Sequence, residues 1–345
     1  MYTFGKIKGN EIVKNYLKNI IKANKIPHAF IIDGQQGSGK KLIAYTFSKA
    51  IECNGDGTGN GSGSGNSTGN TPVEPCNKCQ SCITFDSQNH ADVFFVKSTN
   101  KKSYGVSDIR DQINNTVYIL PYKHKYKVFI INNADTMTPQ AQNALLKTIE
   151  EPPEYAVFIL ISENLGNFLP TILSRCVVLK TKPLANNKVK DFLVSEGNVE
   201  KDKAEIISSF SEGYIGKALN LITDEDFISL RESVISLSMK IKDADLLGVF
   251  KLALEISEYK DKIKEVLDIM YLWFRDILVY KETSNEAWVF DKSNIQLIKI
   301  ESENFTNKSL LACLENISKT KFNLTYNSNF QLTIEVMLLN IKEFD

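Results

Sequence analysis

Three groups of residues have the types and spacing to do chemistry. Gly34-Gln35-Gln36-Gly37-Ser38-Gly39-Lys40-Lys41 lies between an apolar run that reads as a strand and an amphipathic run that reads as a helix. In that setting a glycine loop turns backbone amides toward phosphate groups at a helix N-terminus. Gly34, Gly37, Gly39 and Lys40 are therefore the candidate nucleotide ligands. A working loop of this kind ends in Ser or Thr, whose hydroxyl ligates the magnesium ion that bridges the terminal phosphates. Here that position is Lys41, a cation that cannot ligate a metal. The acidic partner motif is altered too: Val128-Phe129-Ile130-Ile131 runs into Asn132-Asn133, where a metal-holding aspartate and a water-polarising glutamate belong. With hydroxyl, metal carboxylate and base all missing, ATP is not expected to be hydrolysed by this chain.

The second group is thiols. Cys76-Asn77-Lys78-Cys79-Gln80-Ser81-Cys82 sets three cysteines at two-residue spacings, and Cys53 completes a four-thiolate tetrahedral site from the end of the preceding helix. A ferredoxin-like iron–sulfur run would need a further cysteine where Asp86 stands, followed by proline. Zinc is the expected metal, and a full thiolate shell gives it a structural role. The third group is Ser174-Arg175-Cys176, from which an arginine can project off the sheet edge; a surface salt bridge is the plainer reading of Arg175 taken alone. His28, His90 and His124 stand apart without a nucleophile and read as structural. Lys97, Lys101 and Lys102, and Lys123, Lys125 and Lys127 beside Tyr122 and Tyr126, read first as a solvated face and second as a weak nucleic-acid or partner patch.

The elements that must position these groups follow from periodicity. Helix over Glu11 to Ala23, strand over Ala29 to Asp33, and helix over Lys41 to Glu52 open an α/β layer. Apolar runs at Lys127 to Asn132 and Ala156 to Ser162 read as strands, with Ala141, Ala144, Leu145 and Thr148 marking one face of a helix between them. Strands alternating with helices predict a parallel sheet. Pro152 and Pro153 end that helix near Glu151, because proline lacks an amide donor and disfavours helix in the residue before it. A further strand and loop are expected over Asn164 to Leu173, leading to Arg175. After Pro183 the pattern is helical: Phe227, Leu230, Val234, Leu237 and Ile241 step by three and four, with more helices at Ala244 to Ser257, Asp261 to Lys281 and Ser309 to Phe322. Residues 54 to 70 hold seven of the chain's 18 glycines among Asn, Ser and Thr, and read as a flexible surface insertion. The expected division is an α/β domain over 1–180, carrying the cysteine module at 53–82, then a small helical domain over 181–225 and a helical domain over 226–345.

Composition sets the outer limits. At 345 residues the chain should hold about two domains, or three if one is small. Hydrophobic residues at 43% and charged residues at 24% describe a globular chain, which excludes disorder throughout. Lys+Arg and Asp+Glu are equal at 41 each, so no global positive field exists to bind nucleic acid or an anionic membrane. No apolar run approaches the ~20 residues needed to span a bilayer, and Met1 to Glu11 lacks the apolar core of a secretory signal. No membrane partner is expected, and the cytoplasm is the default location, consistent with few cysteines, four of them clustered.

These residues resemble a family. Asn143-Ala144-Leu145-Leu146-Lys147-Thr148-Ile149-Glu150-Glu151-Pro152-Pro153 is similar to the signature helix of the bacterial DNA polymerase III clamp-loader subunits, within the AAA+ superfamily. Ser174-Arg175-Cys176 resembles their arginine-finger motif, and His28-Ala29-Phe30 ahead of the glycine loop also fits. The cysteine cluster resembles their zinc module, and Asn327-Ser328-Asn329 before Leu332 the end of their C-terminal collar. The resemblance implies an AAA+ phosphate-loop domain with an inserted zinc module, a small helical lid domain and an all-helical collar. Motor subunits, gamma or tau, keep the loop Ser or Thr, the Asp-Glu pair and an arginine in the lid, where Gly213-Tyr214-Ile215-Gly216-Lys217-Ala218-Leu219 offers Gly216. The delta type generally lacks Ser-Arg-Cys. Altered ATP positions with a retained Arg175 resemble the delta-prime type, a stator that gives its arginine in trans to a neighbouring subunit's ATP site. The implied partners are gamma/tau and delta subunits, in a five-membered ring that sets a sliding clamp on primed DNA. An ATPase motor with an unusual magnesium site, and a zinc-stapled adaptor without a catalytic contribution, are the alternatives.

Overall fold

The computed structural model describes residues 2–55, 73–100, 103–224, 226–325 and 328–343. The glycine-rich insertion from residue 56 onward, Lys101, Lys102 and Asn327 lie outside them. Helix α1 (Glu11–Lys22) leads to strand β1 (Ala29–Asp33), the glycine loop and α2 (Lys40–Ile51). Short helix α3 (Gln80–Asp86), strand β2 (Val93–Val96) and short helix α4 (Val106–Ile109), continued by a wide π turn, precede β3 (Lys127–Ile131). Then come α5 (Pro139–Glu150), β4 (Ala156–Ser162), α6 (Pro170–Leu173) and β5 (Val177–Lys180).

All four ladders are parallel, in the order β2-β3-β4-β1-β5. A parallel sheet is covered on both faces, so its inner strands read as unbroken apolar runs, and every residue of β3 and β4 is buried. Alternate side chains serve opposite faces. Phe30, Ile32, Val128, Ile130, Ile159 and Ile161 pack with Leu17 of α1 and Ile43 and Phe47 of α2. Ile31, Phe129, Ile131, Phe158 and Leu160 pack with Ala141, Leu145 and Ile149 of α5. Phe94, Phe129 and Phe158 stack across three strands at 5.2 and 5.3 Å between ring centroids. The expected parallel α/β layer is therefore what the chain builds. Two short strands, β2 and β5, extend it beyond the three read from the sequence, and the strand expected over Asn164 to Leu173 is absent. That segment is a 3₁₀ turn at Leu165–Asn167 followed by α6, because Pro170 at a helix first turn favours helical backbone.

The remainder is helical: α7 (Asn186–Ser195), α8 (Lys201–Phe210), α9 (Ile215–Thr223), α10 (Phe227–Lys240), α11 (Leu246–Ser257), α12 (Ile263–Thr283), α13 (Ile295–Asn304), α14 (Asn307–Thr325) and α15 (Phe330–Glu343). By contacts the chain forms two compact units, residues 1–184 with Tyr214–Gly216, and 185–213 with 217–345. In the second unit α12 buries Val266, Leu267, Met270, Trp273, Phe274 and Ile277 and packs against α10, α13 and α14. There Arg231 Nη2 donates to Asp291 at 2.5 and 2.6 Å and to Ser293 Oγ at 2.6 Å, an ion pair that meets the need of buried charge for a partner. Asn329 Oδ1 accepts from the Leu332 amide at 3.1 Å and caps α15. Among the described residues, no helix is long and apolar enough to cross a membrane.

Candidate functional site

The glycine loop leaves the carboxyl end of β1 beside the end of β4, where open α/β sheets place their ligands. Gly34 N–H donates to Ser162 O at 3.1 Å, which fastens the loop to β4. A Cβ at 34 would stand 1.8 Å from Thr181 Oγ1, so any other residue there would force the Thr181 side chain to move. Gly37 and Gly39 have φ of +81° and +83°, left-handed backbone that glycine adopts without strain. Lys40 opens α2, and its ammonium turns back to Gly34 O at 2.6 Å and to Glu163 Oε1 at 2.8 Å. Gly216 N–H donates to Gly37 O at 3.0 Å from Tyr214–Gly216, the short stretch that clusters with the first unit. A Cβ at Gly216 would meet Gly37 Cα at 2.7 Å, so an arginine at 216 is incompatible with this loop conformation.

The positions that would hold magnesium carry neither a hydroxyl nor a carboxylate, although the amide oxygen Oδ1 of Asn132 is buried without a hydrogen-bond partner. Lys41 is exposed on α2. Asn132 donates from Nδ2 to Tyr45 OH at 3.2 Å, and Asn133 is exposed in a left-handed turn with φ of +51°. Nearby carboxylates are engaged elsewhere: Asp33 accepts from Ser162 Oγ at 3.2 Å, Asp135 Oδ2 from the Glu163 amide at 3.3 Å, and Glu163 holds Lys40. Only Asp135 Oδ1, among these carboxylate oxygens, is buried without a hydrogen-bond partner.

Arg175 stands at the C-terminal end of α6. Its Nη1 donates to Thr171 O at 3.0 Å and Ser174 Oγ at 3.2 Å, and its Nη2 pairs with Glu150 Oε1 at 2.9 Å. Both partners of that pair are well exposed, at 39% and 44% of side-chain area. Such a pair contributes only about 0–1 kcal/mol, so the guanidinium can leave it at little cost.

The four expected thiols come together. Cys53, at the end of α2, and Cys76, Cys79 and Cys82, around the start of α3, bring their sulfurs within 4.8 Å of one another. The pairs Cys53–Cys79 and Cys76–Cys82 are each 3.9 Å apart. A tetrahedron with ~2.3 Å zinc–sulfur bonds has edges of about 3.8 Å, which these two edges match, so the four sulfurs are spaced to hold zinc. Backbone amides of Cys76, Cys79 and Cys82 point at the sulfurs of Cys53, Cys76 and Cys79 at 3.3, 3.3 and 3.5 Å, bonds that favour thiolates. A hydrogen bond from the Cys82 thiol, against the opposing effect of burial, draws Cys53 down to about 5, and Cys82 is raised as the donor. Cys176, by contrast, is a lone thiol pushed up to about 12 by burial.

With this geometry established, relatives are informative. Residues 9–185 match the family described as DNA polymerase III, delta subunit, and residues 227–343 match its C-terminal part. The chain belongs to the DNA polymerase III delta-subunit family. The resemblance to AAA+ clamp-loader subunits drawn from the motifs therefore holds. The chain is 27% identical to DNA polymerase III subunit delta' of Bacillus subtilis, over 96% of this chain and 95% of that protein. It is 26% identical to subunit tau of the same organism, over 98% of this chain and 61% of that protein, and thus spans less than two thirds of the tau subunit's length. It is 31% identical to subunit gamma/tau of Mycoplasma pneumoniae, over 64% of this chain and 30% of that protein. Identity to tau, 26%, is within one point of that to delta', 27%, so any distinction among subunit types has to come from particular residues.

Within this family member His28 and His90 have hydrogen-bond partners, while His124 Nδ1 is buried without one, 3.8 Å from Glu52 Oε2. His28 Nδ1 lies 3.1 Å from Ala156 O. His90 Nδ1 accepts from the Asp92 amide at 3.1 Å, which leaves Nε2–H to donate to Ser81 Oγ at 2.9 Å. Glu52, His90 and His124 form a second grouping of metal-ligating types, but both His90 nitrogens are already engaged. Burial, followed by the charge of Asp92, raises Glu52 well above the usual carboxylate range. Among the described lysines of these clusters, one departs from the expected solvated face: Lys127 is buried, and its ammonium donates to Thr116 O at 2.6 Å and Ile119 O at 3.0 Å.

Two residues escaped the sequence reading. Glu163 follows β4 directly, a position at the ligand edge of the sheet, yet nothing in the sequence says that it faces Lys40. Gln142 is a buried amide on α5 whose Nε2 donates to Met137 O at 3.2 Å and Asn167 O at 2.8 Å, and whose Oε1 accepts from the Leu169 amide at 2.8 Å. It clamps the turn that leads into α6 and Arg175.

Proposed function

We propose that this chain is a clamp-loader subunit of DNA polymerase III that does not hydrolyse ATP itself and supplies Arg175 to the ATP site of a neighbouring subunit. The observation that carries the reading is a contrast within one unit. The metal positions hold Lys41, a cation that repels magnesium, and Asn132 and Asn133, neutral amides that supply neither the negative charge that holds the ion nor a base for water, while Arg175 sits exposed on a weak ion pair with Glu150. A guanidinium suits a trans role because it stays charged and contacts several phosphate oxygens at once. In this reading the neighbours are gamma/tau and delta subunits, and the assembly sets a sliding clamp on primed DNA. The helices over 181–225 serve as a lid and those over 226–345 as a collar. Zinc at Cys53, Cys76, Cys79 and Cys82 would hold the α2–α3 junction together without entering the reaction; when bound it supplies a structural cross-link.

Reconstitution with a motor subunit, a delta subunit and a clamp tests the proposal. The purified chain should show no magnesium-dependent ATPase, and Arg175→Ala should assemble normally yet lower the DNA-stimulated ATPase of the loader in part, because other interfaces keep their own arginines. An assembled Arg175→Ala loader with unchanged ATPase and clamp loading would sink the trans role. One observation favours the motor reading instead: Asp135 keeps a buried oxygen without a partner close to the loop. Turnover by the purified chain, lost on Asp135→Asn, would establish that reading.

A further inference from the structure

Lys40 is the residue that would meet a nucleotide's phosphates, and it is already committed. Its side chain is 6% exposed, and its ammonium lies 2.8 Å from Glu163 Oε1 and 2.6 Å from Gly34 O. An ammonium has three donors, so two are spent on partners within the chain. Gly34 N–H continues the β1–β4 ladder to Ser162 O, which fixes the start of the loop beside the residue just before Glu163. At the loop's other end Gly216 N–H takes Gly37 O, with the two backbones so close that a Cβ at 216 would stand 2.7 Å from Gly37 Cα. The loop is thus tied at both ends to its own chain.

We propose that Glu163 is an internal occupant of the phosphate loop: its carboxylate takes the place at Lys40 that an anionic phosphate takes in a working loop, and holds the loop closed against nucleotide. This rests on the reading that the loop does not serve ATP turnover, and it names what occupies the site instead. The physical case is charge and geometry together. A buried ammonium requires a counter-charge, and Glu163 delivers one because β4 ends beside β1, so that Ser162 pairs with Asp33 in register and the next residue reaches the loop. An incoming phosphate would have to displace a carboxylate of like sign from the same cation. Glu163, 44% exposed, gives up little hydration to hold the pair.

The experiment measures binding of a fluorescent ATP analogue to the full chain, with and without magnesium, for wild type, Glu163→Gln, Lys40→Ala and the double variant, alongside thermal melting. Wild type should show no saturable binding at millimolar analogue. Glu163→Gln should gain affinity at least tenfold, and Lys40→Ala should abolish the gain. In melting, Glu163→Gln should lower wild type but add nothing in the Lys40→Ala background, as coupled partners do. Should Glu163→Gln fail to fold, Glu163→Asp, which withdraws the carboxylate by one methylene, is measured in its place and should also gain affinity. Unchanged nucleotide affinity on removing or withdrawing the carboxylate, or additive melting shifts, would overturn the inference and leave the role of Arg175 standing. ATP turnover by the wild-type chain would instead overturn the reading on which it rests.

Discussion

Lys40 and Arg175 are both cations paired with a glutamate, and exposure decides what each can do. Lys40 is enclosed, so its pair with Glu163 is part of the fold, whereas the pair of Arg175 with Glu150 lies in solvent and is replaceable. If the guanidinium works by planar, multi-donor contact, Arg175→Lys should fall close to Arg175→Ala in the DNA-stimulated ATPase of a reconstituted loader, since an ammonium keeps the charge but not the shape. Full activity in Arg175→Lys would reduce the residue to a point charge. His90 provides a pH prediction. Burial first, and then the neighbouring His124, push its pKa down to about 4, so folding favours the neutral ring. A depressed pKa means that the unfolded chain binds the proton more readily. The contribution is complete above the unfolded value of about 6.5 and is lost as pH falls toward 4, on the order of 3 kcal/mol in all. Glu52, raised by burial, contributes with the opposite sign over the same range, so the test is the difference: in urea titrations between pH 7 and 4, wild type should lose stability relative to His90→Asn as pH falls.

At the scale of elements, α5 organises the site that includes Arg175. Thr138 Oγ1 accepts from the Ala141 amide at 3.2 Å and caps its start, and Glu150 near its end holds the arginine. Between them Gln142 bonds three backbone groups of the flanking segments. Gln142→Leu keeps the volume and removes every one of those bonds, leaving backbone polar groups short of partners. It should cost about 1–3 kcal/mol in urea unfolding and should also lower loader ATPase by loosening the turn that carries Arg175. A stability loss without any effect on ATPase would mean that the turn's rigidity does not matter to function. The composition of α5 was legible, with its apolar face and its proline stop, but the role of Gln142 was not. A glutamine in a helix reads as solvated until the neighbouring turn is folded over it.

For the whole molecule, the two compact units predict two cooperative transitions, only one of which contains the thiol cage. Metal analysis should find a single zinc ion per chain. Its removal by chelation, or Cys79→Ser, should lower the melting of the first unit alone. Structural zinc can contribute several kcal/mol, and for a unit of this size each ~1 kcal/mol moves the midpoint by about 2–4 °C. Differential scanning calorimetry would read this directly. A uniform shift of both transitions would mean that the units melt as one, and no shift with zinc removed would dismiss the cage as a stabiliser.

Patterns set by local chemistry could be read from the sequence. Unbroken apolar runs marked β1, β3 and β4, because inner strands of a parallel sheet are buried on both faces. The glycine loop, the departures at Lys41, Asn132 and Asn133, the Ser174-Arg175-Cys176 motif and the cysteine spacing are each contiguous or nearly so, and their chemistry follows from residue type. Strands β2 and β5, at four residues each, carry too little periodicity to stand out. The partners of Lys40 and Arg231 lie 123 and 60 residues away in sequence, and so do not register in any local pattern. Which carboxylate meets which cation depends on where β4 ends relative to β1, and on how the helices after residue 185 pack. That long-range register exists only in the folded chain, which is why the sequence pointed to a phosphate loop unfit for magnesium, and only the tertiary structure brought Glu163 into it.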